Sequence, residues 1–151
     1  MNVEMETLLR RLLENVPLFQ GLNQGELIRF LSLTGRAEVP PQHVVIAQNE
    51  TGNEAYIILS GQVEVMRENK VLTRLGPGAI FGELALLDSL PRSATVRTVS
   101  SCVLLRFDRS DLPKIAEIWP AMLRNLSIML ANRLRETDEL ISVWFNGRPR
   151  G

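Results

Sequence analysis

Between Arg36 and Phe107 the apolar residues come in short runs, each cut off by a turn former. The runs are Val44-Val45-Ile46, Tyr56-Ile57-Ile58-Leu59, Val63-Glu64-Val65-Met66, Val71-Leu72-Thr73, Thr95-Val96-Arg97-Thr98-Val99 and Val103-Leu104-Leu105. Between them stand Pro40-Pro41, Thr51-Gly52-Asn53, Ser60-Gly61, Glu68-Asn69 and Gly76-Pro77-Gly78. Many short strands at even spacing, with glycine in the turns, predict a small antiparallel barrel or sandwich. One stretch interrupts the pattern. Glu83 to Leu87 is apolar at consecutive positions and predicts a short helix embedded in the sheet.

The flanks read differently. Met5, Leu8, Leu9, Leu12 and Leu13 share one helical stripe that Pro17 ends, and a second helix is predicted from Gln24 to Leu33, with Leu27, Phe30 and Leu31 facing inward and Gly35 closing it. After Phe107 the helical period returns. Asp108 or Ser110 suits the cap of a helix carrying Leu112, Ile115, Ile118 and Trp119, and Pro120 suits the first turn of the next, where its missing N–H costs nothing. That last helix is predicted to reach about Phe145. Leu123, Leu126, Leu130, Arg133, Thr137, Leu140 and Trp144 recur along it at three- and four-residue steps, a seam of coiled-coil type with two polar members. Such a seam either pairs with another helix or covers its own barrel. The expected fold is α+β: an antiparallel β-roll, jelly-roll-like, with N-terminal helices (1–35), the roll (36–107) and a C-terminal helix pair ending in a long helix (108–146). It is read as one domain over residues 1–151.

Bulk properties narrow the function. A chain of 151 residues is enough for one domain with a core. Lys plus Arg and Asp plus Glu both total 17, so there is no electrostatic footprint for nucleic acid. The single cysteine, Cys102, sits in an apolar run and cannot form an internal disulfide, which suits a reducing cytoplasm. No apolar run approaches the ~18–20 residues of a membrane span, and Met1-Asn2-Val3-Glu4-Met5-Glu6 lacks the features of a signal peptide. The only histidine, His43, lies on a turn, so neither a metal-binding barrel nor a Ser/His/Asp set is expected, and Gly76-Pro77-Gly78 lacks the lysine of a phosphate loop.

Chemistry concentrates in the interruption, Phe81-Gly82-Glu83-Leu84-Ala85-Leu86-Leu87-Asp88-Ser89-Leu90-Pro91-Arg92-Ser93-Ala94-Thr95-Val96. Glu83 and Arg92 could pair with each other, or both could face a ligand. An arginine can grip an anion in bidentate fashion, a carboxylate can accept from a hydroxyl, and Gly82 lets the backbone approach closely. Backbone N–H groups at the start of the Glu83–Leu87 turn and near Ser93-Ala94 can complete an anion site.

This run resembles the phosphate-binding cassette of cyclic-nucleotide-binding domains, the family that includes the catabolite activator protein and protein kinase A regulatory subunits. The resemblance covers nearly the whole chain, with Gly76-Pro77-Gly78-Ala79-Ile80 matching the family's glycine turn before the cassette. It implies that Arg92 and Ser93 take the phosphate and that Glu83 takes the ribose 2′-hydroxyl. It further implies that Gly82, Leu84, Ala85 and Ala94 shape the pocket, while Val65 and Leu72 wall the sugar and base. Arg133-Leu134-Arg135-Glu136-Thr137-Asp138 resembles the stretch of long helix that reaches the base, with Thr137 on the adenine amino group and Asp138 where a serine reaches across a dimer interface. In the kinase branches an alanine at the place of Ser93 goes with cAMP and a threonine with cGMP. The serine here matches the catabolite activator protein, so cAMP is the expected ligand ahead of cGMP.

The winged helix-turn-helix that follows the long helix in the family's transcription factors is not found before residue 151. The expectation is therefore a non-enzymatic cytoplasmic sensor without cofactor or metal. It would bind cyclic nucleotide, form a homodimer through the C-terminal helix and act on an unidentified protein effector. Two alternatives are a ligand-free interaction module of the same fold and the sensor portion of a DNA-binding regulator.

Overall fold

The computed structural model describes residues 2–146, and their side chains as far as residue 136. Two N-terminal helices lead into the roll: α1 (Val3–Asn15), capped by the Asn2 side chain, and α2 (Gln24–Ser32). Asn23 and Glu26 close α2 with a reciprocal capping box, each side chain bonding the other's backbone N–H. Pro17–Phe19 forms one 3-10 turn between them.

Eight strands follow: β1 (Gly35–Val39), β2 (Val44–Ile46), β3 (Glu54–Ser60), β4 (Val63–Arg67), β5 (Lys70–Leu75), β6 (Ile80–Phe81), β7 (Thr95–Thr98) and β8 (Cys102–Asp108). They make two four-stranded antiparallel sheets, ordered β1-β8-β3-β6 and β2-β7-β4-β5. The inner faces meet in an apolar layer of Val39, Ile58, Val63, Phe81, Val96, Cys102 and Leu104. The outer face of the first sheet carries Ala55, Ile57, Leu105 and Phe107, which pack against the helices through Leu9, Phe19, Leu27 and Phe30. Phe30 touches both Phe19 and Phe107, with ring centroids 5.3 and 4.8 Å apart. Every buried aliphatic or aromatic side chain taken from water adds roughly 1.5–3 kcal/mol, so this double layer is the main source of stability.

The predicted α+β roll is the one observed, with differences at its edges. Within the N-terminal stripe only Leu9 is fully buried, while Met5 and Leu8 are about half exposed. The first member of the C-terminal pair is a 3-10 helix, Arg109–Ile115, capped by Asp108. Pro113 lies inside it and lacks the N–H that an α-helix would need there. The second member, α3 (Trp119–Asn146), is a 28-residue α-helix with Pro120 in its first turn. Its seam divides. Leu126 is completely buried in the chain's own core, together with Met122, and Leu130 packs against that core. Among the described side chains of α3, Ile128 and Leu134, outside the seam, are the exposed large apolar ones. Thr137, Asp138, Leu140 and Trp144 lie outside the residues whose side chains are described. Among the described residues no helix is long and apolar enough to cross a membrane, and no cluster of potential metal ligands occurs.

Candidate functional site

Strand β6 is two residues long and delivers the chain to Gly82, which turns it with φ 71° into the 3-10 helix Glu83–Leu86. A Cβ on Gly82 would stand 3.0 Å from Arg92 Nη1 and 3.1 Å from the Glu54 carbonyl oxygen, so both the turn and the close approach need glycine. The predicted short helix is therefore present, as a single tight 3-10 turn.

Arg92 is pinned at its backbone and at its tip. Its N–H donates to the Glu50 carbonyl at 2.8 Å, and its carbonyl accepts from Asn49 N–H at 2.8 Å. The side chain is 7 % exposed. Its Nη2 donates to Glu54 Oε2 at 3.0 Å and its Nη1 to the Gly82 carbonyl at 3.2 Å. Glu54 also accepts from Arg106 Nη2 at 3.1 Å, so two cations share one carboxylate. The guanidinium lies so close to Gly52 that a Cβ there would sit 2.6 Å from Nη2. A guanidinium has five N–H donors, and the two bonds above fix its plane beside the cavity described below.

Glu83 is buried too, but its partner comes from elsewhere. It forms an ion pair with Arg133 of α3, and Arg133 Nη2 also donates to the Ile80 carbonyl at 3.3 Å. Glu83 and Arg92 are thus not each other's partners: one is tied to α3, the other to β3.

The rest of the cassette is held by its carbonyls. Arg109 Nη1 donates to the Asp88 carbonyl at 2.6 Å and to Ser89 Oγ at 3.1 Å, while Nη2 donates to Asn53 Oδ1 at 3.1 Å. Arg67 Nε donates to the Ser93 carbonyl at 3.1 Å. Tyr56 stacks on Phe81 at 5.2 Å, behind the pocket floor. Burial, then the nearby Glu54 carboxylate, hold the Tyr56 phenol above its ordinary pKa.

These elements enclose an open cavity of about 780 Å³. Val65, Leu72, Gly82, Glu83, Leu84, Ala85, Arg92, Ser93 and Ala94 all line it, so every predicted site residue with a described side chain reaches one space. Thr137 lies beyond those residues. Leu130, Arg133 and Glu136 of α3 close one side, and Leu84 and Leu72 at the mouth stay about half exposed. A buried cation, a buried carboxylate with a different partner and aliphatic walls can together hold a small anion that carries a hydroxyl and a flat apolar group. Sequence reasoning missed Glu54, Gly52 and Arg109, and it placed Arg133 in a seam without its carboxylate partner. The Thr51-Gly52-Asn53-Glu54 turn could have signalled the first two.

Comparison with known proteins agrees with this geometry. Residues 36–118 match the family model of the cyclic nucleotide-binding domain. The chain is 36 % identical over 127 residues to the cyclic AMP receptor protein of Thermus thermophilus, covering 81 % of this chain and 59 % of that protein. The crystal structure of the Thermus thermophilus catabolite activator protein superposes with a TM-score of 0.77 at 34 % identity, covering 85 % of this chain and 62 % of that one. The regulatory domain of Toxoplasma gondii PKA, crystallised with cAMP, gives a TM-score of 0.65 at 29 % identity over 76 % of this chain and 46 % of that one. The chain belongs to the cyclic nucleotide-binding domain family, a family of regulatory ligand-binding domains and not of catalysts. It spans about three fifths of the length of the Thermus receptor protein.

Proposed function

We propose that this chain is a regulatory sensor that binds a cyclic nucleotide reversibly, cAMP in preference to cGMP, and passes the binding event to α3. The observation that carries the reading is the cavity's pair of buried charges, Arg92 fixed within the roll and Glu83 tied to α3 through Arg133. In this reading Arg92 and Ser93 receive the phosphate, with backbone N–H groups near Leu84, Ala85 and Ala94 beside them. Glu83 accepts the ribose 2′-hydroxyl, Val65 and Leu72 flank the sugar and base, and Thr137 meets the base. The cAMP preference draws on the similarity to a cyclic AMP receptor protein and to a PKA regulatory domain crystallised with cAMP.

Residues 1–151 act as one unit, in which the helices of 1–35 and 108–146 serve the 36–107 roll. A ligand hydroxyl bound to Glu83 changes what Arg133 can pair with. The ligand therefore binds the two placements of α3 with different affinity and shifts their population. The buried Cys102 suits work in the cytoplasm. The side of α3 that carries the exposed Leu134 supplies an apolar face for a two-fold homodimer, to be read by a protein effector. Leu126 cannot serve that face, because it is already core. Leu134→Asp is therefore expected to give folded monomers by light scattering, and an unchanged dimer would remove α3 from the interface.

The test of the reading is thermal unfolding with cAMP and with cGMP, joined to amide exchange along α3. A larger upward shift with cAMP and altered protection of α3 are expected. No shift with either nucleotide would leave the ligand-free interaction module.

A further inference from the structure

A second cavity, about 830 Å³, lies on the opposite side of the first sheet from the nucleotide site, beneath α1. Its walls are aliphatic: Leu8 and Leu12 of α1, Leu31 of α2, Ile58 and Leu59 of β3, and Leu105 of β8. Among the described residues that line it two are charged, Arg11 and Arg36, and none is a carboxylate. Arg36 is exposed and pairs with Glu38 on the same strand at 3.1 Å, a surface pair of small worth that an incoming anion can replace. Leu8 remains half exposed at the edge. The arrangement explains why the N-terminal helical stripe is wider than the core needs: Leu9 fills the core, while Leu8 and Leu12 wall the groove.

We propose that this groove is a second ligand site, and that it takes a free long-chain carboxylate: an aliphatic chain along Leu8, Leu12, Leu31 and Leu59, with its acid group toward Arg11 and Arg36. Charge selects the head group, because both ionised groups lining the groove are cations and an apolar bed favours an unbranched tail. A membrane surface is a poorer occupant. It calls for a cluster of several cations, whereas here α1 opens with Glu4 and Glu6 and the chain carries equal numbers of acids and bases.

The site has a covalently short route to the first one. Ile58 in the groove wall donates its N–H to the Ala79 carbonyl at 2.9 Å and accepts from Gly78 N–H at 2.8 Å. Gly78 also lines the groove, and this turn leads through β6 to Gly82. A carboxylate bound under α1 therefore braces the turn that delivers the cassette.

The test uses the full chain, laurate below its micelle concentration, and dodecanol as the uncharged match, followed by calorimetry. One saturable laurate site per chain is expected, with dodecanol weaker by about tenfold or more, the factor a charge-assisted hydrogen bond supplies. The Arg11→Ala, Arg36→Ala double variant should lose that discrimination. Leu8→Glu, at a half-exposed position that folding tolerates, should abolish binding while circular dichroism and cAMP titration show the roll intact. The absence of saturable binding, equal affinity for laurate and dodecanol, or binding indifferent to these variants would each overturn the proposal. Binding only to anionic vesicles would overturn it in favour of a membrane.

Discussion

Arg92 and Glu83 line the same cavity and are both buried, yet their partners come from different parts of the molecule. Arg92 is held by the roll alone: Glu54 of β3, the Gly82 carbonyl and the Asn49-Glu50 backbone. Glu83 is held by α3, through Arg133. The first end of the cavity is built before any ligand arrives, because its cation has its plane fixed and its desolvation already offset by Glu54. The second end depends on where a helix sits. Under the proposed function, the Arg92 end anchors the ligand, and binding energy at the Glu83 end goes into movement of α3.

Four substitutions break or sharpen this contrast. Arg92→Ala comes first. It removes a charged donor from a buried anion site and should weaken cAMP binding by at least ~2 kcal/mol, read by calorimetry. It also leaves Glu54 with Arg106 alone, so a denaturation curve should accompany the titration. Gly52→Ala comes next. Its Cβ must displace a guanidinium that Glu54 and the Gly82 carbonyl restrain, so affinity should fall about tenfold, or about 1.4 kcal/mol, while the fold persists. Unchanged affinity would mean that the plane of Arg92 is not set by this contact.

Glu83→Gln tests the other end. The loss for cAMP should be about 1 kcal/mol, and the 2′-deoxy analogue should barely notice the change. Equal losses for both ligands would place Glu83 in shaping the cassette and not in reading the sugar.

The smallest effect lies farther out, at the cap of the 3-10 helix that leads toward α3. Asp108 accepts from Ser110 N–H at 2.9 Å, and that backbone bond, with the Ser110 hydroxyl behind it, holds its carboxyl below the ordinary value. The folded pKa is the lower one, so the stabilisation is fully present above the unfolded value of about 3.9 and is lost as pH falls through the folded value. Asp108→Ala should cost under about 1 kcal/mol at neutral pH and nothing at strongly acid pH, by urea denaturation. A cost independent of pH would assign it to packing.

How much of this was legible in the sequence follows from the range of each interaction. The roll was legible because strand period and turn chemistry are local. Gly82, Glu83 and Arg92 were legible because one short segment carries them. Glu54 stands 38 positions from Arg92, and Arg133 stands 50 from Glu83, and nothing local in a charged residue names its distant partner. The same limit applied to α3. Three- and four-residue spacing marked Leu126 as inward, but a seam does not say whether inward means this chain or a second one. The helix expected after Asp108 is present with that cap, but its 3-10 form was not legible in advance, and Pro113 within it lacks the N–H that an α-helix would use there.

The most direct test of the whole account is a calorimetric titration of cAMP into the full chain. The account predicts one saturable site per chain whose affinity collapses in Arg92→Ala. The absence of binding, or binding that Arg92→Ala leaves untouched, would contradict it.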